Sequence, residues 1–551
     1  MLHMKNTFWS MIAAGASLSH ASDAVVRTVA LSGSPAPAVP GVFFDLLSDP
    51  RLSEAGEVLY WSRLRGSGVS SGSDGSLWLE RAGTTTLLLR EGDASPTAAG
   101  DFLTGIPTAS WDDSGGIALS AAFNVSGGGT QTTRLAAIRR TADGIVSSRV
   151  AEAVGSATLP ALIPLSDTGE GVLWNPASRN NSILFLEDST RVFDSTTPVP
   201  GAGGGHIPGG SAFRQISTPS LSSSGRVIFR AAAGTTNTTT DWVYGLFSDR
   251  AGSLGLLFAA GQQVPGAPEG QIFSEFANEP SIDGSGDFAF WARLEGAGSP
   301  SDADTALFIS RAGEPLQVMA RAGAAAPGTT LASFSGFSRR IALSESGSAA
   351  FIGFLTGGGV SNATNSGIWI WKPELMSSVL LAREGHPAPG VPGAVFTAFD
   401  GLWIGRGGHI AFTASIGGPG GISLGGLFCT DRSGAVRLIT RTGAGFDIPG
   451  LSHRIVSAVS FDHSEAGQSR LNSSGELVCK VSFTDGTHGL FIASLPCFGD
   501  FNGDGAIDGL DISAFWTAWE TGDTAADCTL DGSVDGADVE RFFSRWEAGE
   551  C

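Results

Sequence analysis

The residues whose types and spacing best suit chemistry form two acidic loops close to the C-terminus. The run D-F-N-G-D-G-A-I-D-G-L-D occupies 500–511, and D-C-T-L-D-G-S-V-D-G-A-D follows 27 residues later at 527–538. Calcium takes about six to eight oxygen ligands, and a loop of about 12 residues supplies them from positions 1, 3, 5, 7, 9 and 12, with glycine at position 6. Both runs match that pattern, so the sequence predicts two Ca²⁺ sites.

The predicted ligands are side-chain oxygens, except for one backbone carbonyl at position 7 of each loop. In the first loop they are Asp500, Asn502, Asp504, the carbonyl of Ala506, Asp508 and Asp511. In the second loop they are Asp527, Thr529, Asp531, the carbonyl of Ser533, Asp535 and Asp538.

An amphipathic helix is predicted directly after each loop. Apolar residues recur at helical spacing in both segments. They are Ile512, Phe515, Trp516 and Trp519 in the first, and Val539, Phe542, Phe543 and Trp546 in the second. A solvated acidic tail would not place aromatic pairs at this spacing. Residues 497–551 hold thirteen acidic residues against two arginines, a formal net charge of −11 out of −20 for the chain. We therefore expect this unit to be loose without calcium and to fold around two Ca²⁺.

Two loop–helix units with Asp at position 12 resemble the dockerin module, a calcium-dependent docking domain of bacterial extracellular complexes. The resemblance covers 497–551, about a tenth of the chain. It implies a small all-α calcium-binding module, type I-like and built from EF-hand-like loops, that docks onto a cohesin-like or other surface protein. Ser or Thr is usual just before the last ligand, whereas this chain has Gly509–Leu510 and Gly536–Ala537. The partner is therefore left unspecified.

Five cysteines bear on the compartment. Cys497 and Cys551 flank the two loops and are 54 residues apart, twice the 27-residue repeat, which predicts a disulfide between the ends of a pseudo-two-fold module. Cys429 and Cys479 lie on neighbouring repeats, and spacing leaves their pairing open. Cys528 is then left over.

Export is predicted from the N-terminus. Residues 1–21 combine Lys5, a short apolar stretch and a small-residue end, which is typical of a cleaved signal peptide. The apolar run is too short for a transmembrane anchor. Lysine occurs only at 5, 372 and 480, so the basic footprint of a nucleic-acid-binding protein is absent.

A degenerate repeat of about 60 residues runs through 24–496. One unit reads A-R-A-G-A-A-A-P-G at 320–328, I-A-L-S-E-S-G-S-A-A-F at 341–351 and S-G-I-W-I-W at 366–371. Short β-branched or aromatic blocks bounded by Gly, Ser, Asn or Pro predict strands, about four per unit. The expected fold is therefore mainly β, a β-propeller of four-stranded blades with the repeated Phe and Trp in the blade cores.

The two ends of the repeat region predict how the ring closes. The last unit stops after H-G-L-F-I-A-S at 488–494, and an extra copy of the missing strand, Val25 to Leu31, opens the region. Eight marker glycines indicate eight blades, with seven as the alternative because the unit near 155–200 is short. They are Gly33, Gly92, Gly155, Gly201, Gly261, Gly323, Gly385 and Gly443. The S-x-x-G-x-x-x-F blocks resemble a bacterial tandem repeat named for its N-x-x-G-x-x-A-F motif, which implies secretion or surface display and assigns no activity.

No catalytic residues are predicted. Two G-x-S-x-G matches, at 68–72 and 421–425, fall in loops without the strand–turn–helix context of a nucleophile elbow. His386, His409 and His488 occupy repeat positions without metal-binding spacing. A pair of glycosidase carboxylates assembled from different blades stays open, for example from Asp45, Glu275 or Asp400.

Two functions of different classes follow. The favoured one is an exported non-catalytic propeller, a scaffold or binding protein of unspecified ligand, attached to a surface or extracellular partner by the calcium-dependent module. The alternative is a polysaccharide-degrading enzyme (an O-glycosyl hydrolase) or a carbohydrate-binding component of an extracellular complex. It is suggested by the proteins that usually carry dockerins.

Overall fold

The structure is a computed structural model that describes most of the chain after the predicted signal peptide, which lies outside it. The described residues are 24–94, 102–111, 117–124, 133–141, 144–152, 161–163, 172–175, 182–185, 192–299, 304–418, 421, 423–431, 434–448, 451, 453–460, 470–495, 499–502, 507–528 and 533–548.

Strand β1 (Val25–Leu31) precedes eight antiparallel sheets that follow one another along the chain. Sheet 1 contains β2 to β5, at Val42–Leu52, Val58–Gly66, Gly75–Arg81 and Thr84–Arg90. Sheet 2 contains β6 to β9, at Phe102–Trp111, Ile117–Asn124, Thr133–Thr141 and Gly144–Glu152. Sheet 3 contains β10 to β13, at Ala161–Ile163, Val172–Asn175, Ser182–Phe185 and Val192–Phe193. Sheet 4 contains β14 to β18, at Ala212–Ile216, Ser220–Leu221, Val227–Gly234, Val243–Ser248 and Gly255–Ala259.

The second half of the region repeats this antiparallel arrangement. Sheet 5 contains β19 to β23, at Gln271–Phe276, Ser281–Ile282, Phe288–Gly296, Thr305–Ser310 and Gln317–Arg321. Sheet 6 contains β24 to β27, at Ala332–Leu343, Ala349–Gly357, Ser366–Lys372 and Ser377–Arg383. Sheet 7 contains β28 to β31, at Val395–Ile404, Ile410–Gly417, Ser423–Thr430 and Val436–Arg441. Sheet 8 contains β32 to β35, at Gly445–Phe446, Arg454–Ser460, Leu477–Phe483 and His488–Ser494.

The sheets form a closed ring. Strands of successive sheets contact each other along the chain, as β21 contacts β24 and β25 contacts β28, and β2 of sheet 1 contacts β34 and β35 of sheet 8. Strand β1 pairs antiparallel with β35, with Thr28 opposite Phe491 and Leu31 opposite Gly489. The predicted closure by the N-terminal strand is confirmed, and the fold is a β-propeller.

The first strand of each sheet lies next to the central axis. The turn after β2 carries Glu54, whose carboxylate accepts a hydrogen bond from the backbone N–H of Ser473 in sheet 8, at 2.8 Å. The same carboxylate lies 3.8 Å from Arg406 Nε in sheet 7. A contact that skips one sheet of a ring requires the turns to converge, so these first hairpins meet close to the axis.

Stacked aromatic rings lie in the cores of sheets 4 to 7, as predicted. Phe229 and Phe247, Phe290 and Phe308, Phe351 and Trp369, and Phe412 and Phe428 form equivalent pairs on the two central strands of these sheets. Their planes are within 14° to 21° of parallel. All eight rings are at most 1% exposed. Burial of this size is the main stabilising contribution in such a fold.

Most marker glycines share one backbone role. Gly33, Gly261 and Gly385 have φ between 80° and 85°, where a side chain is strained, and each N–H donates to the carbonyl of the aromatic residue on the next first strand. Gly201 does not share the position of these marker glycines, so its place in the predicted set is wrong. A Cβ at Gly201 would meet Leu256, just as a Cβ at Gly328 would meet Leu380. Gly201 therefore corresponds to the glycine of the A-P-G segment, five residues further on. Gly155 lies outside the described residues.

Two α-helices follow the propeller at the positions predicted. They are α1 (Gly509–Thr521) and α2 (Gly536–Ala548), with short 3-10 turns at Thr239–Asp241 and Thr524–Ala526. Within the part of the chain that the structure describes, neither helix is long and apolar enough to cross a membrane.

Closure by β1 predicts a specific stability difference along this strand. Leu31 is 5% exposed and packs among residues of sheets 7 and 8, whereas Val25, on the same strand, is 41% exposed. We expect Leu31→Ala to destabilise the propeller by about 2–5 kcal/mol. Val25→Ala should change stability by less than about 0.5 kcal/mol. Denaturant midpoints of the two variants measure this, and equal midpoints would contradict a closing role for β1.

Candidate functional site

The two C-terminal helices pack through a pair of equivalent phenylalanines. Phe515 of α1 and Phe542 of α2 are 27 residues apart, and their rings stack with centroids 4.1 Å apart and planes within 1°. Phe501 packs edge-on against both rings, at 5.5 and 6.0 Å. The 27-residue repeat of the sequence is therefore a pseudo-two-fold repeat of the structure, centred on these two rings.

The structure describes eight of the twelve predicted calcium ligands. These are Asp500, Asn502, Asp508, Asp511, Asp527, Ser533, Asp535 and Asp538. The other four lie outside the described residues and are Asp504, Ala506, Thr529 and Asp531. Asp504 and Ala506 are positions 5 and 7 of the first loop, and Thr529 and Asp531 are positions 3 and 5 of the second. Among the described residues alone, no group of three or more His, Cys, Asp or Glu side chains is placed to hold a metal ion.

The described part of the first loop is organised around Asp511. Its side chain is fully buried and accepts hydrogen bonds from the backbone N–H groups of Asn502, at 3.0 Å, and Asp508, at 2.8 Å. Asp508 is the N-cap of α1, and its carboxylate accepts from the N–H of Leu510 at 2.7 Å. The two bonds to Asp511 hold positions 3 and 9 of the loop next to position 12.

The second loop repeats this geometry. The N–H of Asp535 donates to the carboxylate of Asp538 at 2.8 Å, and the N–H of Ala537 donates to the carboxylate of Asp535 at 2.8 Å. Asp538 is fully buried, like Asp511. The carboxylates held in this way offer oxygen atoms, the hard ligands that calcium prefers. Positions 9 and 12 of both loops therefore fit a calcium site.

Each helix also holds the opposite loop through a tryptophan. The indole N–H of Trp519 donates to the carbonyl of Asp535 at 3.0 Å, and the indole N–H of Trp546 donates to the carbonyl of Asp508 at 2.8 Å. These residues are related by the same 27-residue step. The two loops are therefore coupled, and a change in either one reaches the helix of the other.

The three described cysteines are free and buried. Cys528 is the equivalent of Phe501 and packs in the same core. Burial raises the pKa of its thiol to about 12, and the nearby Asp538 and Asp527 add to this. Cys429 and Cys479 belong to one hydrophobic cluster between sheets 7 and 8 and are free thiols, which answers the question of pairing that their spacing left open. Cys497 and Cys551 lie outside the described residues.

The three candidate carboxylates of the propeller lie on the first strands of different sheets. Asp45 is in sheet 1 and lies 3.6 Å from Arg65. Glu275 is in sheet 5, and its carboxylate oxygens lie 3.1 Å from Arg339 and 3.7 Å from Arg293. Asp400 is exposed in sheet 7. Two of the three are thus engaged by arginines. Sequence reasoning missed these arginines because they come from distant segments with no shared motif.

The remaining motifs are structural. The first G-x-S-x-G match forms the turn between β3 and β4, and the second runs into β30, so neither leads into a helix. His409 lies in a turn, with Nδ1 3.1 Å from the carbonyl of Thr430. His488 begins β35 and accepts the N–H of Leu47 at 3.1 Å, and burial lowers its pKa. A neutral imidazole can accept this bond, so His488 helps to join sheet 8 to sheet 1.

The tryptophan contacts generate a prediction. The double variant Trp519→Phe/Trp546→Phe keeps the aromatic packing and removes both N–H donors. We expect it to destabilise the helical pair by about 0.5–1.5 kcal/mol for each bond lost. Trp516→Phe, which leaves both bonds in place, is the matched control. Hydrogen exchange of α1 and α2 in the full chain measures the difference, and equal protection in the two variants would refute the coupling.

Comparisons with known proteins leave the activity open. One family model matches residues 13–141 and 171–496, and its description is a family of unknown function (DUF7453). No curated protein matches the chain.

Solved structures similar to the chain include two β-propeller domains and a prolyl oligopeptidase. The β-propeller domain of the trilobed protease from Pyrococcus furiosus is 10% identical, with a TM-score of 0.36, over 72% of this chain and 98% of that one. Prolyl oligopeptidase B from Galerina marginata is 12% identical, with a TM-score of 0.36, over 81% of this chain. The match spans only 55% of the oligopeptidase. The Cps50 (Swd1) propeller domain from Myceliophteria thermophila is 10% identical, with a TM-score of 0.29, over 74% and 99% of the two chains.

Proposed function

Because the chain belongs to the family of unknown function DUF7453, whose description assigns no activity, we propose a function from the site itself. The protein is an exported, non-catalytic propeller of eight blades that serves as a scaffold or binding protein. A calcium-dependent, dockerin-like module at 497–551 attaches it to a surface or extracellular partner.

The observation that carries this proposal is the matched geometry of the two acidic loops. Both position-12 carboxylates, Asp511 and Asp538, are fully buried and are held by the N–H of the position-9 residue of their own loop. Burying a carboxylate is costly unless hydrogen bonds and opposite charge compensate it. A bound Ca²⁺ supplies that charge, and the twelve predicted ligands would hold one ion in each loop.

Calcium binding in this proposal also explains how so acidic a unit stays compact. Each 12-residue loop contains four aspartates. Their carboxylates repel one another when no counter-ion is bound. The hydrophobic core around Phe515 and Phe542 is small, so we expect it to be marginal without the ions. Metal binding and folding are then linked.

The docking part of the proposal rests on the ends of the helices next to the loops. Leu510 is 62% exposed at the start of α1, beside the ligand Asp511. A cohesin-like or other surface protein would contact this end of the module. The position of Leu510 depends on the first loop, which calcium would order. The polysaccharide-active alternative has less support, because Asp45 and Glu275 are held in ion pairs with arginines.

Chelation should expose Cys528 selectively. A buried thiol is shielded from an alkylating reagent, and Cys528, Cys429 and Cys479 are at most 2% exposed. In the calcium-loaded chain we therefore expect slow alkylation of Cys528, Cys429 and Cys479. Chelator should accelerate labelling of Cys528 by at least tenfold and leave the two propeller cysteines slow, as measured by peptide mass spectrometry. Unchanged labelling of Cys528 would refute calcium-dependent folding.

Substitutions within the loops should separate metal binding from helix capping. Asp508→Asn/Asp535→Asn keeps an oxygen at each N-cap and removes one ligand charge per loop, so calcium affinity should fall by about tenfold, or 1.4 kcal/mol per site. Asp504→Asn/Asp531→Asn should have a larger effect and mimic chelation. Glu520→Gln, an exposed change of equal charge in α1, is the control. Calorimetric titration of the full chain should give two ions, and equal affinities in all variants would contradict the assignment.

A further inference from the structure

Three arginines from three different sheets lie together near the centre of the propeller. Arg230 is on β16 of sheet 4, Arg293 is on β21 of sheet 5, and Arg339 is on β24 of sheet 6. We call these three residues the arginine cluster. They occur in a chain with 53 acidic and 33 basic residues, so a local excess of positive charge runs against its overall character.

One carboxylate connects two members of the arginine cluster. Glu275 lies on β19, the first strand of sheet 5, with one oxygen 3.1 Å from Arg339 Nη2 and the other 3.7 Å from Arg293 Nη2. Among the described residues, Glu275 is the acidic side chain that forms ion pairs with these arginines. Within the described residues, this one carboxylate faces three guanidinium groups, an excess of two positive charges at the arginine cluster.

Arg230 completes the arginine cluster from the neighbouring sheet. Its Nη1 donates to Asn278 at 2.7 Å, and its guanidinium lies 3.8 Å from the ring centroid of Tyr244. Burial lowers the pKa of Arg230, while Tyr244 and the charge of Glu275 oppose this shift and the smaller effect of Arg339 adds to it. Arg230 is thus partly withdrawn from water, and it shares the carboxylate of Glu275 with the other two arginines.

Three buried N–H donors in and beside the arginine cluster find no acceptor among the residues that the structure describes. They are the Nε atoms of Arg230 and Arg293 and the indole Nε1 of Trp291. Trp291 is only 4% exposed, and the guanidinium of Arg339 lies over its ring at 4.9 Å. Buried donors in native proteins are nearly always paired. Three such donors beside an excess of positive charge indicate a ligand rich in acceptors.

The arginine cluster is open to a ligand. The side chains of Arg339 and Arg293 are 57% and 39% exposed, and Glu275 is 30% exposed. Glu275 and Arg339 belong to first strands, which lie next to the central axis. A ligand would therefore approach from the central channel.

We propose that Arg230, Arg293 and Arg339, with the indole of Trp291, form a binding site for an oxyanion, namely a carboxylate, sulfate or phosphate group of a ligand. The planar guanidinium fork presents paired N–H donors that match the two oxygens of such a group. Glu275 occupies part of the arginine cluster in the free protein and competes with the ligand. Every residue of the site lies in sheets 4 to 6, so the proposal does not depend on the calcium module.

Titration of the full chain with sodium sulfate, inorganic phosphate and sodium acetate, each at constant ionic strength balanced with chloride, tests the site. We expect saturable binding of at least one of the three anions, which also tells a carboxylate ligand from a sulfate or phosphate one. Arg339→Gln should weaken that binding at least tenfold, and Arg293→Gln should act in the same direction. Addition of chelator should leave the binding unchanged, which separates this result from failure of the calcium proposal.

Two further variants distinguish a binding site from a structural ion pair. Glu275→Gln removes the competing carboxylate and should tighten anion binding several-fold, whereas a purely structural network would give no binding to improve. Arg65→Gln is the matched control, because Arg65 is 60% exposed and pairs with a first-strand carboxylate, Asp45, in sheet 1. It should change the affinity less than twofold. Absence of saturable binding, or equal affinities for Arg339→Gln and the unaltered chain, would overturn the proposal.

Discussion

The pairing of β1 with β35 is the interaction on which the rest of the propeller depends. Every other sheet is built from consecutive strands, whereas sheet 8 takes a strand from the start of the region, more than 450 residues away in sequence. This strand contributes to two hydrophobic clusters, through Leu31 between sheets 7 and 8 and through Val29 between sheets 8 and 1. Without it, two inter-sheet cores would be incomplete and β35 would present an open edge.

Ring closure also determines where polar chemistry can be placed. The space between sheets is filled mainly by apolar side chains, such as the stacked rings of Phe290 and Phe308, so little of it is available to polar side chains. The first strands of different sheets converge on the axis, as the contacts of Glu54 with sheets 7 and 8 demonstrate. Residues that are more than 100 positions apart, such as Arg230 and Arg339, are brought together in this way.

The C-terminal unit follows a different principle. Its core is small, and its order comes from a repeat of local hydrogen bonds around Asp511 and Asp538, joined by the reciprocal bonds of Trp519 and Trp546. Cys528 takes the place that Phe501 has in the first half, which explains why a cysteine with no disulfide partner is buried there. The propeller is thus stabilised by ring closure, and we propose that the small unit is stabilised by ions.

The sequence by itself determined the features that depend on local patterns. Strand blocks, the closing strand, both helices and the 27-residue register are periodic signals, and each follows from the spacing of apolar residues along one segment. Gly201 was misplaced because a glycine in one turn cannot be told from a glycine five residues away, and only the leucine it approaches identifies it.

Only the tertiary structure decided which distant side chains meet. It left Cys429 and Cys479 as separate buried thiols, and it grouped Arg230, Arg293 and Arg339 around Glu275. No periodic signal marks such contacts, because they depend on how eight sheets are arranged about one axis. The acidic loops could be recognised in the sequence because all their predicted ligands come from one short segment, whereas the arginine cluster exists only once the ring has closed.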